Sequence, residues 1–90
     1  MKKRGRFEII YDILCIIQDH DNSIKPTPLL RYTNISSNRF YGYYNELIKK
    51  ELIAKKYDGK KKKYITLTDK GFKYIEKYKL FMGIIEEFEL

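Results

Sequence analysis

The sequence predicts a mainly α-helical fold with one small β-hairpin, an α+β arrangement within a single domain. Three segments carry apolar residues at helical spacing, and a fourth, short segment begins with a helix-start signal. Residues 52–68 instead alternate as strands do, around the pair Asp58-Gly59. A chain of 90 residues is long enough for one domain. We therefore expect helices grouped around one core, with a single hairpin.

The first predicted helix covers residues 6–19 and is apolar over most of its circumference, so we expect it to be largely buried. The residues that follow, HDNS, favour a turn. Cys15 lies among aliphatic residues, where a free cysteine packs as a small hydrophobe. The apolar positions are Phe7, Ile9, Ile10, Ile13, Leu14, Ile16 and Ile17.

Two helices joined by a short turn are predicted next. Thr27 is a good N-cap and Pro28 suits the first helical position, which predicts a short helix over about 28–32. Ser36 or Ser37 caps a longer helix that reaches about residue 50. A short helix, a turn of about three residues and a longer capped helix are typical of a helix-turn-helix. One side of the longer helix comprises Phe40, Tyr44, Leu47, Ile48 and Glu51.

The segment LIAKKYDGKKKKYITLT predicts a β-hairpin whose turn is Asp58-Gly59, because this dipeptide favours a type I′ turn. In that register Leu52 lies opposite Ile65, and Ile53 lies opposite Tyr64. The face directed to the core would then consist of Leu52, Ala54, Ile65 and Leu67.

The same register places Lys56 opposite Lys61 and Lys55 opposite Lys62, and like charges across a strand pair are destabilising. Contact with a polyanion would relieve that repulsion. The alternative is a longer, flexible loop in which lysines only prevent edge-to-edge aggregation. We predict that the hairpin contacts nucleic acid through Lys55, Lys56, Lys60, Lys61 and Lys62.

The last predicted helix covers residues 68–90 and begins at a Thr68 or Asp69 cap. Phe72 and Ile75 are expected to close the core. Apolar residues continue beyond them in a heptad pattern, which predicts a dimer interface. The alternative is that this helix folds back onto the first one. The predicted interface residues are Ile75, Tyr78, Phe81, Met82, Ile84, Ile85 and Phe88.

The element order is helix, helix, turn, helix, hairpin, helix, which is the winged helix-turn-helix arrangement with the hairpin as the wing. Residues 1–70 form its nucleic-acid-binding part, and residues 69–90 close the core and extend it within one domain. The longer helix of the pair would enter a major groove, where Asn pairs with adenine edges, Arg pairs with guanine edges and Lys finds phosphate. Gly42 would permit close approach to the duplex, although a packing role is an equal alternative. The predicted contacts on this helix are Ser37, Asn38, Arg39, Tyr41, Gly42, Asn45 and Lys49.

The net charge of +7 is concentrated in the first 70 residues, which hold 16 Lys and Arg against 8 Asp and Glu. This distribution indicates an anionic partner for that part of the chain. Lys2, Lys3 and Arg4, followed by Arg6, form a basic N-terminal arm that either follows a DNA backbone or only aids solubility.

A single Cys and a single His exclude an internal disulfide and a Cys/His metal site. The sequence carries no nucleophile triad, paired carboxylates or glycine-rich phosphate loop, so we expect no enzyme activity and no cofactor. No apolar run is long enough to span a membrane, and we expect a cytoplasmic, nucleoid-associated protein.

Three stretches, RFEIIYDIL, TPLLRYTNISSNRFYGYYNELIKKELI and KKYITLTDKGFKYIEKY, make the chain resemble the small archaeal winged-helix DNA-binding proteins. These include the Sulfolobus type that dimerises through a C-terminal antiparallel coiled coil. The resemblance implies a homodimer that binds duplex DNA in transcription regulation or chromatin organisation. Glu51 departs from the pattern, since such proteins commonly place a glycine there, and it must adopt a left-handed conformation or change the turn.

Two other functions remain open from the sequence. The fold could serve as an adaptor that binds another protein through its apolar last helix. The exposed tyrosines could instead stack on RNA bases.

Overall fold

The computed structural model describes residues 5–90, and the predicted contacts Lys2, Lys3 and Arg4 lie outside the described residues. The predicted element order is confirmed. The elements are α1 (Arg6–Asp19), α2 (Pro26–Thr33), α3 (Ser37–Lys49), β1 (Ile53–Tyr57), β2 (Lys63–Leu67) and α4 (Asp69–Glu87).

Helix α1 is the centre of the core, as its apolar composition predicts. It packs against α2, β2 and α4. The chain leaves the helix through Asp21 and Asn22, both at a positive φ of 58°. Asp and Asn tolerate this left-handed conformation better than most residues, which explains the turn at HDNS. The buried residues of α1 are Ile9, Ile10, Ile13, Leu14 and Ile17.

Helix α2 begins two residues earlier than the sequence predicts, and its N-cap is Lys25 instead of Thr27. Pro26 explains the difference, because a proline holds the preceding residue in an extended conformation and suits the first helical position. The helix ends at Asn34, whose φ of 57° is left-handed. Asn34, Ile35 and Ser36 therefore form the predicted three-residue turn before α3.

Helix α3 begins and ends at recognisable caps. The Ser36 hydroxyl accepts a hydrogen bond from the Arg39 amide at 3.3 Å, as the N-cap prediction requires. At the other end, Glu51 adopts a φ of 61°. The Leu52 amide donates to the Leu47 carbonyl at 2.9 Å, and the Glu51 amide donates to the Ile48 carbonyl at 3.1 Å. This pair of bonds is a Schellman motif, so Glu51 takes the left-handed position that glycine usually occupies.

The hairpin forms where predicted, but the predicted register is wrong. Ile53 lies opposite Leu67 and Lys55 lies opposite Ile65, so neither predicted lysine pair exists. The face of the hairpin that packs on the core carries Ile53, Ile65 and Leu67. Burial of these three side chains outweighs the local preference of Asp-Gly for a two-residue turn.

A third chain segment completes the sheet on the outer side of β2. Ile24 and Ile65 exchange backbone hydrogen bonds of 3.2 and 2.7 Å. The Asn22 side chain accepts a further bond from the Leu67 amide at 2.6 Å. The loop after α1 thus fixes β2 against the core and determines which way the hairpin projects.

Helix α4 begins at Thr68, whose hydroxyl accepts a hydrogen bond from the Gly71 amide at 3.1 Å. Ile75 is buried in the core, and Tyr78 stacks on Tyr11 of α1 with ring centroids 4.4 Å apart. Phe72, which was expected to close the core, is 37% exposed. The first half of α4 therefore folds onto α1, and the second half extends past it.

The start of α4 passes so close to the end of α3 that only glycine fits at position 71. A Cβ atom there would overlap the carbonyl oxygen of Leu52 and press on the Leu67 side chain. We expect Gly71→Ala to lower the free energy of unfolding by about 1–3 kcal/mol, as overpacking does, in urea denaturation.

The matched control is Gly83→Ala in the same helix, where an added Cβ meets nothing within 4 Å. We expect that variant to be more stable by about 0.5–1 kcal/mol, because alanine favours helix. Equal effects of the two substitutions would contradict the close approach at Gly71.

Candidate nucleic-acid interface

The exposed side of α3 carries every contact residue predicted on this helix: Ser37, Asn38, Arg39, Tyr41, Gly42, Asn45 and Lys49 are all exposed. The opposite side, with Phe40, Tyr44 and Leu47, is buried in the core. The helix is thus held by one face and presents the other to solvent. Tyr43, by contrast, packs partly against the core.

Gly42 lies in the middle of this exposed surface. A Cβ atom at its position would meet nothing within 4 Å, so nothing in residues 5–90 packs closely enough to require glycine. Of the two roles predicted for Gly42, packing within the domain is therefore not supported. Close approach of a ligand to the helix stays a prediction.

The wing loop is ordered by the carboxylate of Asp58. Its Oδ1 atom accepts hydrogen bonds from the amides of Lys60 at 2.8 Å and Lys62 at 2.9 Å. The Asp58 carbonyl accepts from the Lys61 amide at 3.0 Å, and Lys61 takes a φ of 60°. The Asp58 amide also donates to the Lys62 carbonyl at 3.1 Å, so these two residues pair and residues 59–61 form a three-residue loop that ends in the left-handed Lys61. The predicted two-residue turn, with Asp58 and Gly59 at positive φ, is therefore wrong.

Basic residues cover the wing on its exposed surfaces. The five predicted lysines, Lys55, Lys56, Lys60, Lys61 and Lys62, are all exposed. The prediction missed Lys63, which is exposed at the start of β2, and its strand partner Tyr57, which is 64% exposed. The Lys55 ammonium lies 6.0 Å from the centre of the Tyr44 ring, within cation–π range. Lys55 thereby links the wing to α3.

Arg6, the first residue of α1, lies beside the exposed side of α3. Its Nη2 atom is 2.6 Å from both carboxylate oxygens of Glu46. This bond lowers the pKa of the Glu46 carboxyl and raises the pKa of the Arg6 guanidinium, so both groups stay charged near neutral pH. The two residues are 40 positions apart, and no sequence signal connects them.

The predicted dimer-interface residues separate into three groups by exposure. Ile75 is 3% exposed and belongs to the core of its own chain, so its side chain is not available to a partner. Tyr78 and Ile85 are partly buried. The exposed members are Phe81, Met82, Ile84 and Phe88. An apolar groove beside them is lined by Phe7, Tyr74, Lys77, Tyr78 and Phe81.

Two further features bear on the class of site. Residues 5–90 contain no cluster of three or more His, Cys, Asp or Glu side chains able to hold a metal ion. Within the same range, no helix is both long enough and apolar enough to span a membrane.

The model of the winged helix-turn-helix family matches residues 3–86. The chain belongs to this family. Two solved structures that share less than a quarter of its sequence have the same fold. One is Sso10a-2, a DNA-binding protein from Sulfolobus solfataricus, with 23% identity and a TM-score of 0.76; the match covers 96% of this chain and 86% of that one.

The other is BpsR of Bordetella bronchiseptica, whose DNA binding is regulated by 6-hydroxynicotinic acid. It shares 22% identity at a TM-score of 0.71, over 88% of this chain and 61% of that one. The comparison with curated proteins gives no match. The winged helix-turn-helix family predicted from the sequence is confirmed, and the predicted resemblance to the Sulfolobus type is confirmed for the fold.

Two tyrosines, one buried on α3 and one partly buried on α4, differ in whether the hydroxyl has a hydrogen-bond partner. The buried Tyr44 hydroxyl has no hydrogen-bond partner in the described part of the chain. The Tyr74 hydroxyl donates to the Phe7 carbonyl at 2.9 Å. Burial raises the pKa of both, to about 12 for Tyr74.

We expect Tyr44→Phe to leave the free energy of unfolding unchanged or raise it by up to about 1 kcal/mol, because an unpaired hydroxyl is removed. Tyr74→Phe should lower it by about 1 kcal/mol, because a hydrogen bond is lost. Chemical denaturation of both variants beside wild type measures this. A clear loss of stability in Tyr44→Phe would show that its hydroxyl is satisfied in solution.

Proposed function

We propose that this protein binds duplex DNA, with α3 in the major groove and the wing on the backbone or in the minor groove. The observation that carries the proposal is that the polar residues of α3 and the six wing lysines are all exposed, with Lys55 of the wing beside Tyr44 of α3. The fold that presents them is that of the winged helix-turn-helix family. Exposed positive charge beside a capped helix is the expected footprint of a nucleic-acid-binding domain.

Each element of the proposed interface has a distinct task. Asn38, Arg39 and Asn45 carry amide and guanidinium groups that can reach base edges. Lys49 and the wing lysines supply charge for phosphates and set the salt dependence of binding. The side chain of Tyr41 is 42% exposed, and its ring packs edge to face on the Phe40 ring with centroids 5.1 Å apart. This packing restricts the orientation of Tyr41 before it meets DNA.

We expect duplex affinity to fall steeply with salt in wild type, and less steeply in Lys60/Lys61/Lys62→Gln. The slope of log affinity against log salt should be shallower by up to about 0.9 for each lost phosphate contact. Fluorescence anisotropy on a mixed-sequence duplex across a salt series measures both slopes.

The control is Lys60/Lys61/Lys62→Arg, which keeps the charge and should keep the wild-type slope. Superimposable Gln and wild-type curves would exclude the wing from the interface. Preference for single-stranded RNA over duplex would point to RNA binding, and absence of binding to either would favour the adaptor function.

We further propose that the protein is a homodimer joined through the second half of α4. The side chains of Phe81, Ile84 and Phe88 are 56, 50 and 65% exposed. Large apolar side chains exposed together on one stretch of helix are typical of a protein interface. The apolar groove beside Phe81 gives such side chains a place to pack. A two-fold dimer would present two copies of α3 and two wings to one duplex.

Charge supports an antiparallel pairing of the two α4 helices. Residues 69–79 of α4 carry four lysines, Lys70, Lys73, Lys77 and Lys79, against two acidic residues, Asp69 and Glu76. The end of the helix is acidic, with Glu86 and Glu87 in its last turn and Glu89 just after it. Antiparallel helices bring the basic half of one copy to the acidic end of the other, whereas parallel helices bring like charges together.

We expect Phe81→Gln to shift the protein toward monomer at concentrations where wild type is dimeric, because it removes apolar contact at the centre of the exposed surface. Light scattering over a concentration series measures the mass. Phe72→Gln is the control, since Phe72 lies half a turn away from Phe81 around α4 and should leave the dimer intact. A monomeric wild type would overturn the homodimer, and an effect of both variants alike would place the interface elsewhere.

A further inference from the structure

The guanidinium of Arg6 is held through one nitrogen. Glu46 engages Nη2 through both of its carboxylate oxygens, each at 2.6 Å. The Nε and Nη1 atoms have no hydrogen-bond partner within residues 5–90, and the Arg6 side chain is 47% exposed. A guanidinium presents five N–H donors in one plane, and those on Nε and Nη1 lie on different edges, on either side of Nη2. Within the described residues, each of these two atoms can still donate to a further acceptor.

The backbone that carries Arg6 is fixed by a bond from α4 and by the first turn of α1. The Tyr74 hydroxyl of α4 donates to the carbonyl of Phe7, the next residue, at 2.9 Å. The Ile9 amide donates to the Gly5 carbonyl at 3.0 Å, which closes the first turn of α1. With Glu46 holding the side chain, Arg6 is oriented before any ligand arrives, so little side-chain entropy is lost on contact.

Arg6 lines a hollow of about 360 Å³ on the exposed side of α3, together with Asn38, Arg39, Gly42, Tyr43 and Glu46. Arg39 adds a second positive charge, and Gly42 has no side chain to obstruct the approach. Glu46 contributes the only negative charge among the lining residues, and Arg6 and Lys50 both pair with it.

We propose that Arg6 is a DNA-phosphate ligand at the flank of α3, with Glu46 as the positioning residue that holds its Nη2 atom. This inference rests on the proposed duplex binding. A phosphate oxygen can accept a charge-assisted hydrogen bond from Nη1 or from Nε while Nη2 stays on Glu46. The start of α1 thereby becomes part of an interface otherwise made by α3 and the wing.

A simpler role for Arg6 is to neutralise Glu46, as many exposed ion pairs do. The two roles separate in a background where Glu46 has no charge. In that background, removing an arginine that only neutralises Glu46 leaves the affinity for duplex DNA unchanged. Removing an arginine that binds phosphate lowers that affinity.

The experiment compares Glu46→Gln with Arg6→Gln/Glu46→Gln in duplex binding across a salt series, with the full chain in both cases. We expect the double variant to have a salt slope shallower by about 0.9, which is the release from one phosphate. If the two variants bind duplex equally at the upper end of one decade of salt, this difference in slope makes the double variant bind roughly tenfold more weakly than Glu46→Gln at the lower end. Thermal unfolding of each variant confirms that the fold is retained.

Lys25→Gln in the Glu46→Gln background is the matched control, because it removes one exposed positive charge at the start of α2, outside the residues that line the hollow. It should leave the slope nearly unchanged. Superimposable curves for Glu46→Gln and the double variant would overturn the phosphate contact while leaving duplex binding itself intact. Wild type that fails to bind duplex would overturn both proposals.

Discussion

The fold depends on one junction, where the end of α3 meets the start of α4 through Thr68. The Thr68 hydroxyl donates to the Glu51 carbonyl at 2.6 Å and accepts from the Gly71 amide. Its backbone amide donates to the Leu52 carbonyl at 3.2 Å. One residue thus caps α4, closes the base of the hairpin and satisfies carbonyls that follow α3. Because β1 begins directly after these carbonyls, the junction sets the angle between α3 and the wing.

The same junction explains why Glu51 can take a conformation that normally favours glycine. Its carbonyl is held by Thr68, its amide is held by Ile48, and Lys70 reaches the neighbouring Lys50 carbonyl at 3.0 Å. A left-handed residue costs on the order of 1 kcal/mol, and it persists where the surrounding structure determines it. These three hydrogen bonds, together with the bond from the Thr68 amide to the Leu52 carbonyl, provide that determination.

Sequence reasoning succeeded where one physical signal dominated a segment. The bounds of α1, the Ser36 cap and the exposed face of α3 followed from apolar period and capping chemistry, which act within a few residues. The hairpin register failed because the Asp58-Gly59 rule is local, whereas the register is set by burial of Ile53 and Leu67 and by pairing of Ile65 with Ile24. Those constraints come from segments distant in the chain.

The interface shows the same division. Exposed lysines and the polar face of α3 could be identified from residue type and period alone. The contact of Arg6 with Glu46 could not, because it depends on how α1 crosses α3. Ile75 was assigned to an external seam for a related reason: a heptad pattern does not distinguish a helix covered by its own chain from one covered by another.

The Asp58 carboxylate has a thermodynamic consequence. It accepts hydrogen bonds from two loop amides and so orders the backbone of the lysine loop in the free protein. The backbone entropy of the loop is therefore lost on folding and is not lost again when a ligand binds. A wing organised in this way gives up mainly lysine rotamer freedom on association. Calorimetry of such an encounter should therefore lack the large heat-capacity change that accompanies folding coupled to binding.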